Sequence, residues 1–364
     1  MGVVSLNHYI RIKPRKRETA GFKAPEDVNR ICESMGMHPI DFPKFPNEYS
    51  KLRKRLWLYT VVPMKWLKVF FAVKKGDTVF FQHPMYANRL ITPMVNWIRK
   101  VKKCRFVALI HDLESLRKGI GGVVDYKQDR EEYTDTVMLN AFDKVICHNP
   151  SMRSYMLERG FADEKLITLE IFDYLCPDNG RKPQLTDGAE IAVAGNLAPT
   201  KSGYVYDMDV SNIHLNLYGI HFDEAAFHGK ENVCYNGAFH PDRLPEALSG
   251  NFGLVWDGPV SSTCAGNTGA YLRYNNPHKT SLYLAANLPV IIWSEAALAS
   301  FVRDNGLGIV VDRLDQIDGA VRGLSQEEYS RMRDNVHAMG EKIRNGHFFR
   351  TAALAALNRE EGEA

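Results

Sequence analysis

A chain of 364 residues is longer than one ordinary hydrophobic core organises, so two domains are the expected count. Apolar residues make up 45% and charged residues 24%, as in a soluble globular protein, and a net charge of +3 is too small to demand a nucleic-acid partner. The six cysteines (Cys32, Cys104, Cys147, Cys176, Cys234 and Cys264) form no CxxC pair, suit neither a zinc site nor a disulfide framework, and point to a reducing compartment.

Residues 6–17 are more polar and basic than the buried strand that opens an α/β domain, so a first strand there is left open. Nothing near Met1 resembles the apolar stretch of a signal peptide, and no run approaches about 18 uncharged apolar residues, so neither export nor a membrane span is expected. Gly21 and Lys23 precede a helix over residues 25–36. A glycine lets backbone approach a ligand closely, and Lys23 either reaches a phosphate or is simply solvated. Residues 51–75 mix Trp57, Tyr59, Trp66, Phe70 and Phe71 with eight Lys and Arg. Packing of those aromatics into a core is the first expectation, with contact to anionic lipid as a second use of the basic face.

Short apolar runs at 78–82, 105–111, 144–148 and 166–171 alternate with helical segments at 86–101, 129–141 and 151–159. That alternation predicts a parallel sheet covered by helices on both faces. A polar linker follows to about Gly188, and the pattern restarts with runs at 191–194, 213–218, 233–235, 252–256, 289–292 and 308–311, before helices at 326–344 and 348–356. The fold class is therefore α/β, with two Rossmann-like domains, residues 1–172 and 186–340, facing across a cleft. Ligands bind such sheets outside the carboxyl ends of the strands.

Those ends carry His83-Pro84, His111-Asp112 and His148-Asn149 in the first half. In the second they carry Gly195-Asn-Leu-Ala-Pro-Thr-Lys-Ser202, Tyr218-Gly219 and Trp256-Asp-Gly258. The richest segment is Tyr274-Asn-Asn-Pro-His-Lys-Thr-Ser281, a polar loop running into a helix start. Lys279, Thr280 and Ser281 at the positive end of a helix dipole make an anion site, most naturally for a diphosphate. The alternative is an N-capped surface helix with a solvated Lys. Asp207-Met-Asp209 is spelled like a metal-binding pair, but no strand precedes it, so no divalent metal or other cofactor is expected.

The run Asn276-Pro-His-Lys-Thr-Ser-Leu-Tyr-Leu-Ala-Ala-Asn-Leu-Pro-Val-Ile resembles the nucleotide-sugar region of bacterial two-Rossmann (GT-B) glycosyltransferases. The nearer likeness is to the galactofuranosyltransferases and the glucosyltransferases that extend sugars on serine-rich adhesins. Thr19–Asp27, His111–Arg117, Ile171-Phe-Asp-Tyr174, Tyr235-Asn-Gly-Ala-Phe239 and Phe252–Gly258 are similar to further segments of that group, in the same order. The resemblance implies a UDP-sugar donor on the second domain and an oligosaccharide or lipid-linked glycan acceptor on the first. Lys279, Thr280 and Ser281 would hold the diphosphate, met by Lys201 or Asn196. Tyr218 would flank the uracil or stay in the core, and Asn275 and Asn276 would touch ribose or phosphate or merely form a turn. Gly21 and Lys23 would approach the donor phosphate across the cleft.

Many retaining members of this fold share a Glu-x7-Glu motif. Here Glu295 is present but Asn287 stands eight residues earlier, which favours inversion by a single base. Asp112 is the first choice for that base and His111 the second, with Glu114 weaker; an N-capping role is the alternative for Asp112. Such proteins return their final helix to the first domain, which Phe348, Phe349, Leu354 and Leu357 suit, so residues from about 340 to 364 would join it. The expected activity is transfer of a hexose, galactofuranose first, from a UDP-sugar in surface polysaccharide synthesis. Behind it stand UDP-glucose transfer to an adhesin and a non-catalytic glycan-binding subunit. The expected location is cytoplasmic, peripheral at the inner face of the membrane through an anionic surface; a homo-oligomer is left open.

Overall fold

The computed structural model describes residues 6–13, 20–119, 132–186, 188–227 and 231–358. The expected loop at Thr19 and the start of the expected helix at 129–141 fall outside them.

The first sheet comprises β1 (Asn7–Lys13), β2 (His38–Pro43), β3 (Thr78–His83), β4 (Arg105–Ile110), β5 (Lys144–Cys147) and β6 (Leu166–Thr168), in the order β2-β1-β3-β4-β5-β6. The second comprises β7 (Ala189–Asn196), β8 (Ile213–Ile220), β9 (Val233–Tyr235), β10 (Phe252–Val255), β11 (Val290–Trp293) and β12 (Gly308–Val311), in the order β12-β11-β10-β7-β8-β9. Every pairing is parallel. Runs such as Phe106–Ile110 and Val290–Ile292 are buried along their whole length because helices cover both faces of each sheet.

A strand does form at the polar start of the chain, and it is central. Tyr9 and Ile10 fill the core, while His8 donates to Asp77 at 3.2 Å and Arg11 pairs with Asp41 and Glu33, each at 2.8 Å. Its neighbour β2 holds two prolines, which an edge strand tolerates. In both sheets the strand order reverses beside the opening strand, between β1 and β3 and between β7 and β10. Those two switch points are where crevices open beyond the strand ends.

The helix Gln326–Arg344 packs on the helix His278–Ala285 of the second domain. After Gly346 the helix His347–Leu357 lies on the first sheet, with Phe349 edge-on to Phe80 at 6.2 Å and Leu357 O accepting from Arg105. Asp173 in the connecting segment caps it, accepting from Phe348 N and Phe349 N. Burial pushes that carboxyl up to about 7, against those two bonds.

Candidate functional site

The second domain's wall is built at its switch point. Lys279 lies in the first turn of His278–Ala285, and its Nζ donates to Trp256 O at 2.8 Å and to Asp257 Oδ1 at 3.1 Å, both just beyond β10. Burial alone would lower this ammonium; the adjoining Asp257 carboxylate outweighs it and holds the pKa above the ordinary lysine value. Pro277 precedes the helix and offers no side-chain cap. The hydroxyls of Thr280 and Ser281 are buried and find no protein partner. A fixed cation and uncapped helix N–H groups therefore share one strand end.

The β7 end lies opposite. Asn196 accepts from Ala198 N and forms a tight turn, and Lys201 follows on an exposed short helix whose backbone meets Gly258. Gly195 and Gly219 pair across β7 and β8, both with φ of +145°; a side chain at Gly219 would run into Gly195 O, so this rim must stay bare backbone.

On the first domain, His111 and Asp112 follow β4. His111 Nε2 donates to Gln82 Oε1 at 2.7 Å and the ring stacks on Phe172. Its Nδ1 is buried without a partner. Burial, reinforced by His148, His278 and His83, drives its pKa down to about 3, so the imidazole is neutral. Asp112 is part-exposed; burial lifts its carboxyl, with Arg117 at 3.7 Å opposing. The Tyr271 hydroxyl, reaching over from the second domain, bonds Asp112 and accepts from Leu113 N. A further pair stands beside them: His83 Nε2 donates to Asp135 Oδ1 at 3.0 Å, and Asp135 Oδ2 accepts from Ser115.

Three of the residues singled out in the sequence are otherwise engaged. Lys23 donates to Asp27, Leu175 O and Asp242 at 2.8, 2.6 and 2.8 Å, exhausting its three protons. It joins the domains and has none left for a phosphate. Asn276 spends its whole amide on the first domain: Oδ1 accepts from Asn149, and Nδ2 donates to His148 O and Glu170 O. Tyr218 is a core ring, its hydroxyl shared with Ser249. Two exposed aromatics stand at this rim, Phe239, 6.1 Å from Tyr218, and Tyr235, whose hydroxyl donates to Gly219 O. Asn275 keeps a buried Oδ1 without a protein partner, and Gly21 is open to solvent.

The junction is sensitive to acid. His148 accepts from Asn276 N and donates to Ile110 O, and burial lowers it to about 4. Unfolding restores a pKa near 6.5, so this contribution is complete above that pH and is lost as pH falls toward 4. Urea unfolding of wild type and His148→Gln should show the stability gap between them shrinking by about 2 kcal/mol from pH 7 to pH 5. A gap independent of pH would mean that the imidazole takes up its proton as readily in the native protein as in the unfolded chain.

The sequence matches the glucosyltransferase 3-like family, its N-terminal domain over residues 7–171 and its C-terminal domain over residues 191–356. It is 32% identical over 339 residues to the β-1,6-galactofuranosyltransferase WbbI of Escherichia coli K12, covering 92% of this chain and 93% of that one. This chain belongs to the glucosyltransferase 3-like family. It is 26% identical to glucosyltransferase 3 of Streptococcus gordonii, over 92% of this chain and 93% of that one. Its fold is similar to that of Anabaena HepE, solved with UDP and glucose, with a TM-score of 0.58 at 10% identity over 97% of this chain and 100% of that one. The protein is thus a glycosyltransferase on two facing Rossmann-like domains.

Tyr271 and Asp135 join this glycosyltransferase's cleft without any signal in the sequence, whereas His83, Asp257 and Phe239 stood there only within longer motifs and were given no role of their own. Asp257 was written in the strand-end motif Trp256-Asp-Gly258; only the contact with Lys279 gives it a role. The carboxylates of Asp207 and Asp209 are spent on Ser261 and Ser211 respectively.

Proposed function

We propose that the protein transfers galactofuranose from its UDP-sugar to a glycan acceptor of a bacterial surface polysaccharide, with inversion and without a metal. The observation that carries the donor reading is Lys279, locked by Asp257 at the switch point of the second domain and at the start of a helix. The departing UDP gains charge there, and a fixed ammonium with helix N–H groups stabilises it without a metal. The galactofuranosyl choice rests on WbbI at 32% identity; glucose is the second reading, from the streptococcal glucosyltransferases at 26% and 25%.

Inversion is supported by two placements. Asn287 closes its helix in a left-handed conformation, its amide tied to Asp178 and Asn179 and its carbonyl to Arg344. Glu295 is exposed and held by Arg273. Neither offers a nucleophile. Asp112 is the base that takes the acceptor hydroxyl's proton, with neutral His111 beside it. No helix among the described residues is long and apolar enough to cross a membrane. The proposed location is the cytoplasmic side of a membrane whose lipids carry the acceptor.

Calorimetry with UDP, GDP, CMP, ADP and UDP-sugars, with and without Mg²⁺, followed by turnover assays, tests this reading. Wild type should bind UDP selectively without metal. Lys279→Ala should weaken UDP by about tenfold to a hundredfold, the worth of one charge-assisted contact. Pairing it with Asp257→Asn guards against a merely unbalanced carboxylate. Absence of nucleotide binding in wild type would sink the proposal.

A further inference from the structure

Charge in this chain is segregated. Residues 51–105 hold fourteen Lys and Arg against one acid, Asp77, which is buried. The other 309 residues hold 32 bases and 42 acids, so the small net charge conceals a strongly basic block on an acidic remainder. The block is two neighbouring helices, Lys51–Ala72 and Asn88–Lys102, neither containing an acidic residue.

The same helices are apolar on the outside. Val62, Trp66 and Val69 take the core side of the first. Leu52, Leu56, Tyr59 and Phe71 are 78%, 64%, 62% and 77% exposed, with Met64, Leu67, Trp97 and Val101 also open. These eight are nearly half of the seventeen large apolar side chains exposed among the described residues. Positions 52, 56, 59, 63 and 67 recur at helical spacing, so they form a stripe along a helix roughly 33 Å long. Lys54, Lys65 and Lys68 run alongside. Trp97 stacks on Phe70 at 4.5 Å, with Lys102 over the same ring.

We propose that this face lies flat on an anionic lipid bilayer, the apolar stripe sunk among the headgroups and the bases on their phosphates. Aliphatic side chains beside cations fit a lipid interface, whereas a nucleic acid would leave Leu52, Leu56 and Leu67 wet. A lipid-linked acceptor, the reading on which this docking rests for its purpose, would lie in that same surface. Hydrogen bonds tie this face to the cleft residues. A pocket of about 320 Å³ lined by Leu58, Tyr59, Ala87, Asn88, Arg89 and Leu90 opens between the helices. Asn88 donates to Thr134, next to the Asp135 that holds His83.

Co-sedimentation with vesicles of roughly one-third phosphatidylglycerol in phosphatidylcholine tests the proposal, against pure phosphatidylcholine. Wild type should pellet with the anionic vesicles alone, and less as salt rises. Leu56→Glu with Phe71→Glu, and separately Lys54→Glu with Lys68→Glu, should each cut partitioning by about tenfold or more. Both variants should keep wild-type UDP binding and turnover on a water-soluble acceptor, because Leu56, Lys68 and Phe71 are exposed, Lys54 is part-exposed, and none of the four lies among the cleft residues described above. Failure of wild type to pellet, or undiminished pelleting of both variants, overturns the docking face and leaves the transferase reading standing. So does an absence of vesicle binding together with either a dimer dissolved by Leu56→Glu and Phe71→Glu or retention of an RNA oligonucleotide. Loss of UDP binding and turnover in wild type would instead strike the transferase reading.

Discussion

Asp112→Asn should lower turnover by about 10²- to 10⁴-fold while leaving UDP affinity where it was, the signature of a lost general base. Asparagine keeps the shape, and its carboxamide oxygen can still accept from Tyr271, so the fold should survive. What disappears is the negative charge that draws the acceptor's proton. The wild-type rate should fall as pH drops through the carboxyl's pKa, which burial holds above the ordinary aspartate range. The residual activity of Asp112→Asn should lack that limb. Neighbouring groups are weaker bases. His111 is lowered to about 3, and Glu114, which burial alone would raise, is held below the ordinary glutamate value by Lys118 and Arg117. Near-wild-type turnover in Asp112→Asn would move the base elsewhere, with the His83–Asp135 pair next to be changed.

Lys23→Met should destabilise the protein by about 3–5 kcal/mol in urea unfolding, because it leaves buried carboxylate without its cation. Asp27 is buried and Asp242 only part-exposed, and the ammonium between them also closes on Leu175 O and lies over the Tyr174 ring at 4.7 Å. Burial already raises Asp27 to about 6 against the pull of Lys23. Asp242→Asn should cost less, since its carboxylate reaches water. A lysine serving the donor phosphate instead would give the opposite pattern in Lys23→Met: stability near wild type and UDP binding lost.

The parts legible in the sequence were those whose signal is local. Strands such as Phe106–Ile110 announce themselves as continuous apolar runs, and Lys279-Thr-Ser281 reads as a helix start within a few residues. The obscured parts depend on distant partners. β1 looked too polar because His8 and Arg11 are answered by Asp77 and by Glu33 and Asp41. Lys23 reads as an exposed ligand-seeking lysine until Asp242, 219 residues on, takes it. Asn276 looks like a turn residue, and only the folded chain shows its amide divided between His148, Asn149 and Glu170. Spacing also cannot tell which aromatics of helix Lys51–Ala72 turn inward: Trp66 packs on Phe42, while Tyr59 and Phe71 face outward.

The helix His347–Leu357 covers the first sheet, yet the ribosome makes it after the entire second domain. A nascent chain that has already formed β1 to β6 therefore lacks the part of the cover over Phe80 that Phe349 supplies until residues 347–357 emerge. Vectorial folding of the first domain as a finished unit is ruled out by the order of synthesis. The early half must wait, partly bare, for a segment made after the whole second domain, and apolar surface left open in that interval is the kind that makes a folding intermediate prone to aggregate.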